Sequence, residues 1–561
     1  MAEPAPNCAI HYHPDGFDAN RLQVKGRHVA GAGFLKGFID HSGVDRFQVL
    51  VDDAAHLQQF KDVLQELDST DRPVELVDRR SMRAMIQAGS VMLPGPSLQD
   101  LAWQRRHANE RNFSLCGITH TVSSKVAGTA IGHYVGSPVQ SWDALICTSS
   151  LVRGAVESML EGMAEYLAAR VGAKPPAKAS PIQLPVIPLG VDVPEFRRHA
   201  ATEGDRKELR DRLGIKKGDV AGLFFGRLAF HAKAHPVPMF ITAEHAQKRS
   251  KAKLHLILTG QFPNADIAQE FESAAARFCP SVPVHFIDGS DDDLSRSSWA
   301  AGDFFISLSD NIQESFGLTP IEAMAAGLPC LVSDWDGYRD TVLDGKTGFR
   351  VATRMPPPGV GVDLADRHGF GADTYDRFIG YVSQATAIDI EACTEAMIRL
   401  IDDGELRRKM GAAAAERADT VYDWRHIIAA YQDLWVDQAA RRRKDKGHAL
   451  RNPEQVSASP NIPDPFRTFA GYPTEVLSEA NRLGLTDQNW KSALDRVMEG
   501  KLNRFSETVI LPEVEIHNLA ARLAGKGVKI ADLFDGLDAG ERRRVWRTLA
   551  WLLKYGIAER R

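Results

Sequence analysis

The chain reads as an α/β protein of two doubly wound lobes followed by a small helical or winged-helix-like domain. Three observations predict this. Short apolar runs rich in β-branched and aromatic residues alternate with helical stretches from the start to about residue 436. Strands that are apolar almost throughout, separated by helices, belong to parallel sheets covered on both faces. A proline-rich break (PIQLPVIP, 181–188) divides the alternation into two series, and beyond residue 440 the strand-like runs give way to helical spacing.

The first series comprises 8–13, 47–53, 74–78, 90–94, 113–119 and 144–148, and forms a lobe over residues 1–190. The second comprises 220–225, 254–259, 283–288, 303–309 and 330–333, and forms a lobe over 191–440. Two such lobes enclose a cleft, a common place for a ligand. Residues 354–388 open with Met355-Pro356-Pro357-Pro358-Gly359 and continue polar and aromatic, which predicts an insertion or extended loop. A basic run (Arg441, Arg442, Arg443, Lys444, Lys446) starts a polar linker over 441–465. Residues 466–561 show helical periodicity at Val476, Ala480 and Leu483, at Leu519 and Leu523, and at Leu549, Leu552 and Leu553.

The 561 residues suffice for two or three domains with a sizeable core. Lys+Arg 68 against Asp+Glu 73 leaves a net charge of −5, so no global basic field calls for nucleic acid. The six cysteines include no C-x-x-C pair, and several fall in apolar strands, which predicts buried thiols in a reducing compartment. The first residues, MAEPAPN, lack the apolar core of a signal peptide, and no apolar run reaches the ~18 residues that span a bilayer. The expectation is a cytoplasmic protein. The basic run reads either as a solvated helix end or as a peripheral contact at the inner face of the membrane.

The chemistry concentrates in Gln313-Glu314-Ser315-Phe316-Gly317-Leu318-Thr319-Pro320-Ile321-Glu322, which joins a strand to a helix. A glycine-containing turn feeding a helix start offers free N–H groups to an anion, here those of Phe316, Gly317 and Leu318. Glu314 and Glu322, with seven residues between them, can hold sugar or ribose hydroxyls. Glu322 also reads as the third helical residue of a capping box whose N-cap is Thr319. Phe225-Gly226-Arg227-Leu228 ends the first strand of the second lobe, with Lys233 six residues beyond the arginine. Gly260 ends the next strand. Near the N-terminus, Val24-Lys25-Gly26-Arg27-His28-Val29-Ala30-Gly31-Ala32-Gly33 precedes a helix. Its Gly31 and Gly33 serve either a ligand loop or helix packing. His120 follows the strand Gly117-Ile118-Thr119 and is either a solvent-facing cap or a site residue.

These motifs, in this order, closely resemble retaining glycosyltransferases of the GT-B fold with an E-x7-E motif, in particular glycosyltransferase family 4. The resemblance covers about residues 8–440 and implies two Rossmann-like lobes, with Val186–Asp192 as the hinge and the last helix of the second lobe returning to the first. It implies a nucleoside diphosphate sugar as donor, no cofactor and no metal. Arg227 and Lys233 would bind the phosphates, and Gly31, Gly33, Gly260, Phe316, Gly317 and Leu318 would contribute to the donor site. Glu314 would grip the transferred sugar, Glu322 the ribose, and His120 would face the reaction centre. The element Gly226-Arg227-Leu228…Lys233 departs from the family in having Ala234 where a glycine often follows the lysine. The acceptor, whether glycan, lipid-linked or protein, is not implied, and an oligomer is compatible with the pattern. A nucleotide-sugar 2-epimerase and a non-catalytic sugar-nucleotide scaffold share the architecture.

Overall fold

The computed structural model describes residues 5–17, 26–68, 70–445 and 457–561, apart from the side chain of Arg27. Val24 and Lys25 lie outside these residues, as does the stretch 446–456 of the 441–465 linker, Lys446 included. The chain forms two compact units, Met1–Leu450 and Arg451–Arg561.

The larger unit holds two six-stranded parallel sheets. The first consists of β1 (Ala9–His11), β2 (Phe47–Leu50), β3 (Val74–Leu76), β4 (Ser90–Met92), β5 (Ser114–Ile118) and β6 (Ala144–Ile146), in the order β3-β2-β1-β4-β5-β6. The second consists of β7 (Val220–Phe225), β8 (Leu254–Gly260), β9 (Val284–Asp288), β10 (Phe304–Ser307), β11 (Cys330–Ser333) and β12 (Gly348–Val351), in the order β12-β11-β10-β7-β8-β9. Both sheets therefore reverse direction of growth beside their first strand, between β1 and β4 and between β7 and β10. The crevice at the carboxyl ends of such strands is the expected ligand site. The strands are apolar on both faces because both faces are covered: Val49, Ile146, Leu256, Ile306 and Leu331 are all fully buried.

The proline-rich break runs along the edge of β6 and then crosses between lobes, where Val191 N–H donates to Tyr422 O at 2.8 Å. The helix Trp424–Lys444 then returns to the first lobe, as the resemblance implies. Gln438 Nε2 donates to Leu115 O at 2.9 Å inside the core, and between the helices Trp435 packs edge to face on Phe38 and Tyr431 while Phe34 lies tilted against Tyr431.

This packing corrects the reading of Gly31 and Gly33 as a ligand loop. Both lie inside the helix Gly26–His41. A Cβ on Gly31 would overlap the Gly16 carbonyl, and one on Gly33 would press on the indole of Trp424. They are glycines because two chain segments must approach closely there.

Residues 354–388 are also more ordered than an extended loop. They carry the helices Val362–Gly369 and Tyr375–Gln384, bounded by the short antiparallel pair β13 (Thr353–Arg354) and β14 (Ala387–Ile388).

In the smaller unit the helices Trp490–Glu499, Glu513–Arg522 and Ala539–Lys554 enclose Leu494, Leu519, Leu549 and Leu552. A three-stranded antiparallel sheet accompanies them, with β15 (Arg482–Leu485) between β16 (Val528–Lys529) and β17 (Ala558–Arg560). The helical spacing of Val476, Ala480 and Leu483 does not form a helix: Val476 and Ala480 are exposed and Leu483 belongs to β15. All six cysteines are buried free thiols. Among the described residues, no helix is long and apolar enough to cross a membrane.

Candidate active site

A cleft of about 1150 Å³ lies at the carboxyl ends of the two sheets. Its second-lobe wall starts at the end of β7, where Gly226 takes a φ of +142°, a value side chains rarely adopt. The turn brings Arg227 and Lys233 into the cleft. Arg227 Nη2 donates to Gln313 Oε1 at 3.1 Å. Lys233 Nζ donates to Glu314 Oε2 at 2.6 Å, with the two side chains only 15% and 14% exposed. Burial works against the ammonium, but the charge of Glu314 prevails and holds Lys233 above the ordinary lysine range.

Asn311, which sequence reasoning missed, ties these loops together. It is fully buried; its Nδ2 donates to His231 O at 2.6 Å, its Oδ1 accepts from Gln313 N–H at 2.8 Å, and its carbonyl accepts from Trp335 Nε1 at 3.1 Å. Asp310 beside it accepts from Ser383 Oγ at 2.9 Å, and burial pushes its carboxyl up to about 7. Neither residue belongs to a recognisable spacing; only an inspection of the polar ending of an otherwise apolar strand could have drawn attention to them.

The helix Leu318–Ala325 begins at the cleft. Its N-cap is Gly317, at φ +81°, and no side chain caps its amides. Gly317 is required twice over, because a Cβ there would also overlap the ring of Tyr338, whose hydroxyl is bonded to Ser307 Oγ at 2.9 Å. The expected capping box is absent: Thr319 is the second helical residue and does not cap. The uncapped turn leaves backbone N–H groups for an anion. Phe316, Gly317 and Leu318 all line the cleft, with the Phe316 ring packed against Tyr422. Glu322, freed from any capping role, lies on the same wall; burial pushes its carboxyl up to about 7 despite the opposing pull of Lys233. Gly260 lines the cleft at the end of β8, where a Cβ would overlap the Gly226 carbonyl, so the two strand ends touch.

His120 stands on the opposite wall, its Nε2 3.2 Å from Pro94 O. Gly26, Val29 and Ala30 line this side, whereas Gly31 and Gly33 are not among the lining residues. Direct bonds also join the lobes. Ser149 Oγ donates to Asp336 Oδ1 at 2.9 Å, and Ser150 donates to Asp340 through N–H at 2.6 Å and Oγ at 2.8 Å. Asp336 has a φ of +37°, and burial pushes its carboxyl up to about 7.

Two cations and an uncapped helix start thus converge on one wall with two carboxylates. Such a set can hold a polyanion while accepting hydrogen bonds from hydroxyls next to it. The basic run after the cleft is partly engaged elsewhere: Arg441 Nε bonds Asp437 at 2.5 Å, and Arg442 donates to the Gly89 carbonyl.

Residues 205–356 match the family model described as Glycosyl transferases group 1. The chain is 31% identical over 194 residues to a D-inositol 3-phosphate glycosyltransferase of Geodermatophilus obscurus, covering 32% of this chain and 39% of that one. It is 31% identical over 282 residues to the enzyme of the same name from Nocardia farcinica, covering 48% of this chain and 52% of that one. The chain thus spans about half or less of the length of these curated relatives. The structure of HepE from Anabaena with UDP and glucose aligns with a TM-score of 0.47 at 16% identity, over 77% of this chain and 100% of that one. The matched stretch 205–356 contains Arg227, Lys233, Gly260, Glu314 and Glu322 and excludes His120, so it is the cation-bearing wall of the cleft that resembles group 1 glycosyl transferases.

Proposed function

We propose that the chain is a retaining glycosyltransferase that moves a sugar from a nucleoside diphosphate sugar to a hydroxyl of a glycan, lipid-linked or protein acceptor. The observation that carries this reading is the Lys233–Glu314 pair, 2.6 Å apart and beside an uncapped helix start in the same cleft. Arg227, Lys233 and the amides of Phe316, Gly317 and Leu318 take the diphosphate. Glu314 accepts from hydroxyls of the transferred sugar, Glu322 from those of the ribose, and His120 faces the sugar from the first lobe.

In the reaction the bond from the anomeric carbon to the diphosphate oxygen breaks, and the leaving diphosphate keeps the electron pair. The acceptor oxygen forms its bond on the same face, and its proton passes to the departing phosphate oxygen. Charge grows on the diphosphate in the transition state, where preorganised cations and amides stabilise it most. With that charge met by Arg227 and Lys233, the reaction needs neither a metal nor a cofactor.

The test is hydrolysis of UDP-, GDP-, ADP- and TDP-sugars with chelator present, with the anomer of the released sugar read by NMR before mutarotation. One donor should be hydrolysed slowly, with the configuration of its anomeric carbon kept. Release of the opposite anomer would reject retention, and a strict requirement for added metal would reject the charge assignment. Binding of a donor without turnover, in hydrolysis or with any acceptor, would leave a sugar-nucleotide-binding protein.

A further inference from the structure

The helix Tyr375–Gln384 occupies an unusual position. One face packs on the loop that carries Lys233: Ile379 is buried against Ala229 and Ala232, and Gly380 lies against His231. Ser383 Oγ bonds Asp310 at the start of the loop after β10. At its other end the hydroxyl of Tyr375 crosses to the first lobe, 2.7 Å from Ser123 Oγ and 3.4 Å from Thr121 Oγ1. Those residues follow His120 directly, and Tyr375 itself lines the cleft. The preceding helix Val362–Gly369 buries no residue and braces the strap, through His368 stacked on Phe378 at 5.0 Å and Arg367 bonded to Asp373 at 2.6 Å.

We propose that this helix is a strap linking the Lys233 loop to the His120 loop, with Tyr375 as the positioning residue that holds Thr121–Ser124 against the cleft. Its catalytic consequence rests on the glycosyltransferase reading; its structural core does not. A single hydrogen bond between neutral hydroxyls is a weak contact. It suits a contact that must form and release as the lobes close and open on substrate. Tyr375 touches the first lobe through its hydroxyl, so removing that atom alone separates the bond from the packing of the ring.

The experiment compares the full chain with Tyr375→Phe, Ser123→Ala and the double variant by amide hydrogen exchange without ligand. The strap predicts several-fold faster exchange over residues 121–127 in each single variant, no further increase in the double variant, and unchanged exchange in β7 and β10. Equal exchange in wild type and Tyr375→Phe, or additive effects in the double variant, would overturn it. A second readout uses hydrolysis of UDP-glucose: Tyr375→Phe should lower kcat several-fold with KM unchanged, since the hydroxyl positions a loop and does not grip the donor. A rise in KM at constant kcat would reject the positioning role. If wild type hydrolyses no donor, the glycosyltransferase reading fails, while the exchange data still decide whether the strap exists.

Discussion

Lys233 Nζ lies 2.6 Å from Glu314 Oε2, two residues separated by 81 positions and brought together from the ends of adjacent strands β7 and β10. Each neutralises the other, so neither is left as an uncompensated charge at a largely buried site. Under the proposed function an incoming diphosphate competes for the lysine and a sugar hydroxyl for the carboxylate.

Glu314→Gln should keep the fold and lose most donor hydrolysis, by about 10²-fold or more, the scale of losing one strong electrostatic contact to a transition state. Its melting temperature should fall, because Lys233 loses its partner. Circular dichroism and a hydrolysis assay on the same preparation check both halves. Near-normal turnover would remove Glu314 from the mechanism.

Gly317→Ala and Gly31→Ala should behave differently although both introduce one methyl group. At Gly317 the φ of +81° and the Tyr338 ring both oppose a Cβ, so the substitution costs about 1–3 kcal/mol and distorts the helix start. Donor affinity should fall with it. At Gly31 the clash is with the Gly16 backbone in a helix contact, so stability should fall at a comparable scale with donor affinity retained by the folded fraction. Urea midpoints and donor-induced thermal shifts measured together separate the two.

Asp310 and Glu322 are both pushed up to about 7 by burial. Unfolded, they return to about 4. Between these values the native state binds more protons than the unfolded one, so stability falls as pH rises from about 4 to 7 and stays lowered above that. Asp310 accepts from Ser383 Oγ at 2.9 Å and from His235 N–H at 3.4 Å; Asp310→Asn can keep both, its amide donating to Ser383 and its oxygen accepting from His235, and loses the charge. Its melting temperature should exceed wild type at pH 8, with the advantage shrinking towards pH 5. An advantage that is independent of pH would show that burial of this carboxyl is not the cause.

The basic run at the end of Trp424–Lys444 should serve the fold more than a membrane. Arg442 donates into the first lobe at Gly89 and Arg441 is paired with Asp437. Arg442→Ala should lower the melting temperature, and replacing Arg441 and Arg442 together should leave flotation with phosphatidylserine vesicles unchanged. Salt-sensitive flotation that these substitutions abolish would reverse this assignment.

Eleven of the twelve strands in the two large sheets were legible as apolar runs between helices, since burial on both faces leaves little choice of residue; β12, four residues opening on Gly348, and the two-residue β13 and β14 left no such run. Arg227, Lys233, Glu314 and Glu322 were legible as types in an order. Their pairing was not, since the 2.6 Å contact depends on β7 and β10 being neighbours. Gly31 and Gly33 misled because a glycine for ligand approach and a glycine for helix packing leave the same letter; only Trp424 and Gly16 distinguish them. Thr319 fits a capping box by spacing, but Gly317 already starts the helix one residue before Leu318. Tyr375 carried no signal, because its bond to Ser123 spans 252 positions and no local pattern records it. The sheet of the smaller unit escaped because β16 has only two residues and β17 three, too short for an alternation to register.

The most direct test of the donor site is calorimetric titration of UDP, GDP, ADP and TDP into wild type and Lys233→Ala. The account predicts that one diphosphate binds wild type and that the variant binds it at least about tenfold more weakly, the loss of one charge-assisted contact. Equal affinity in both proteins, or no binding of any diphosphate to wild type, would contradict it.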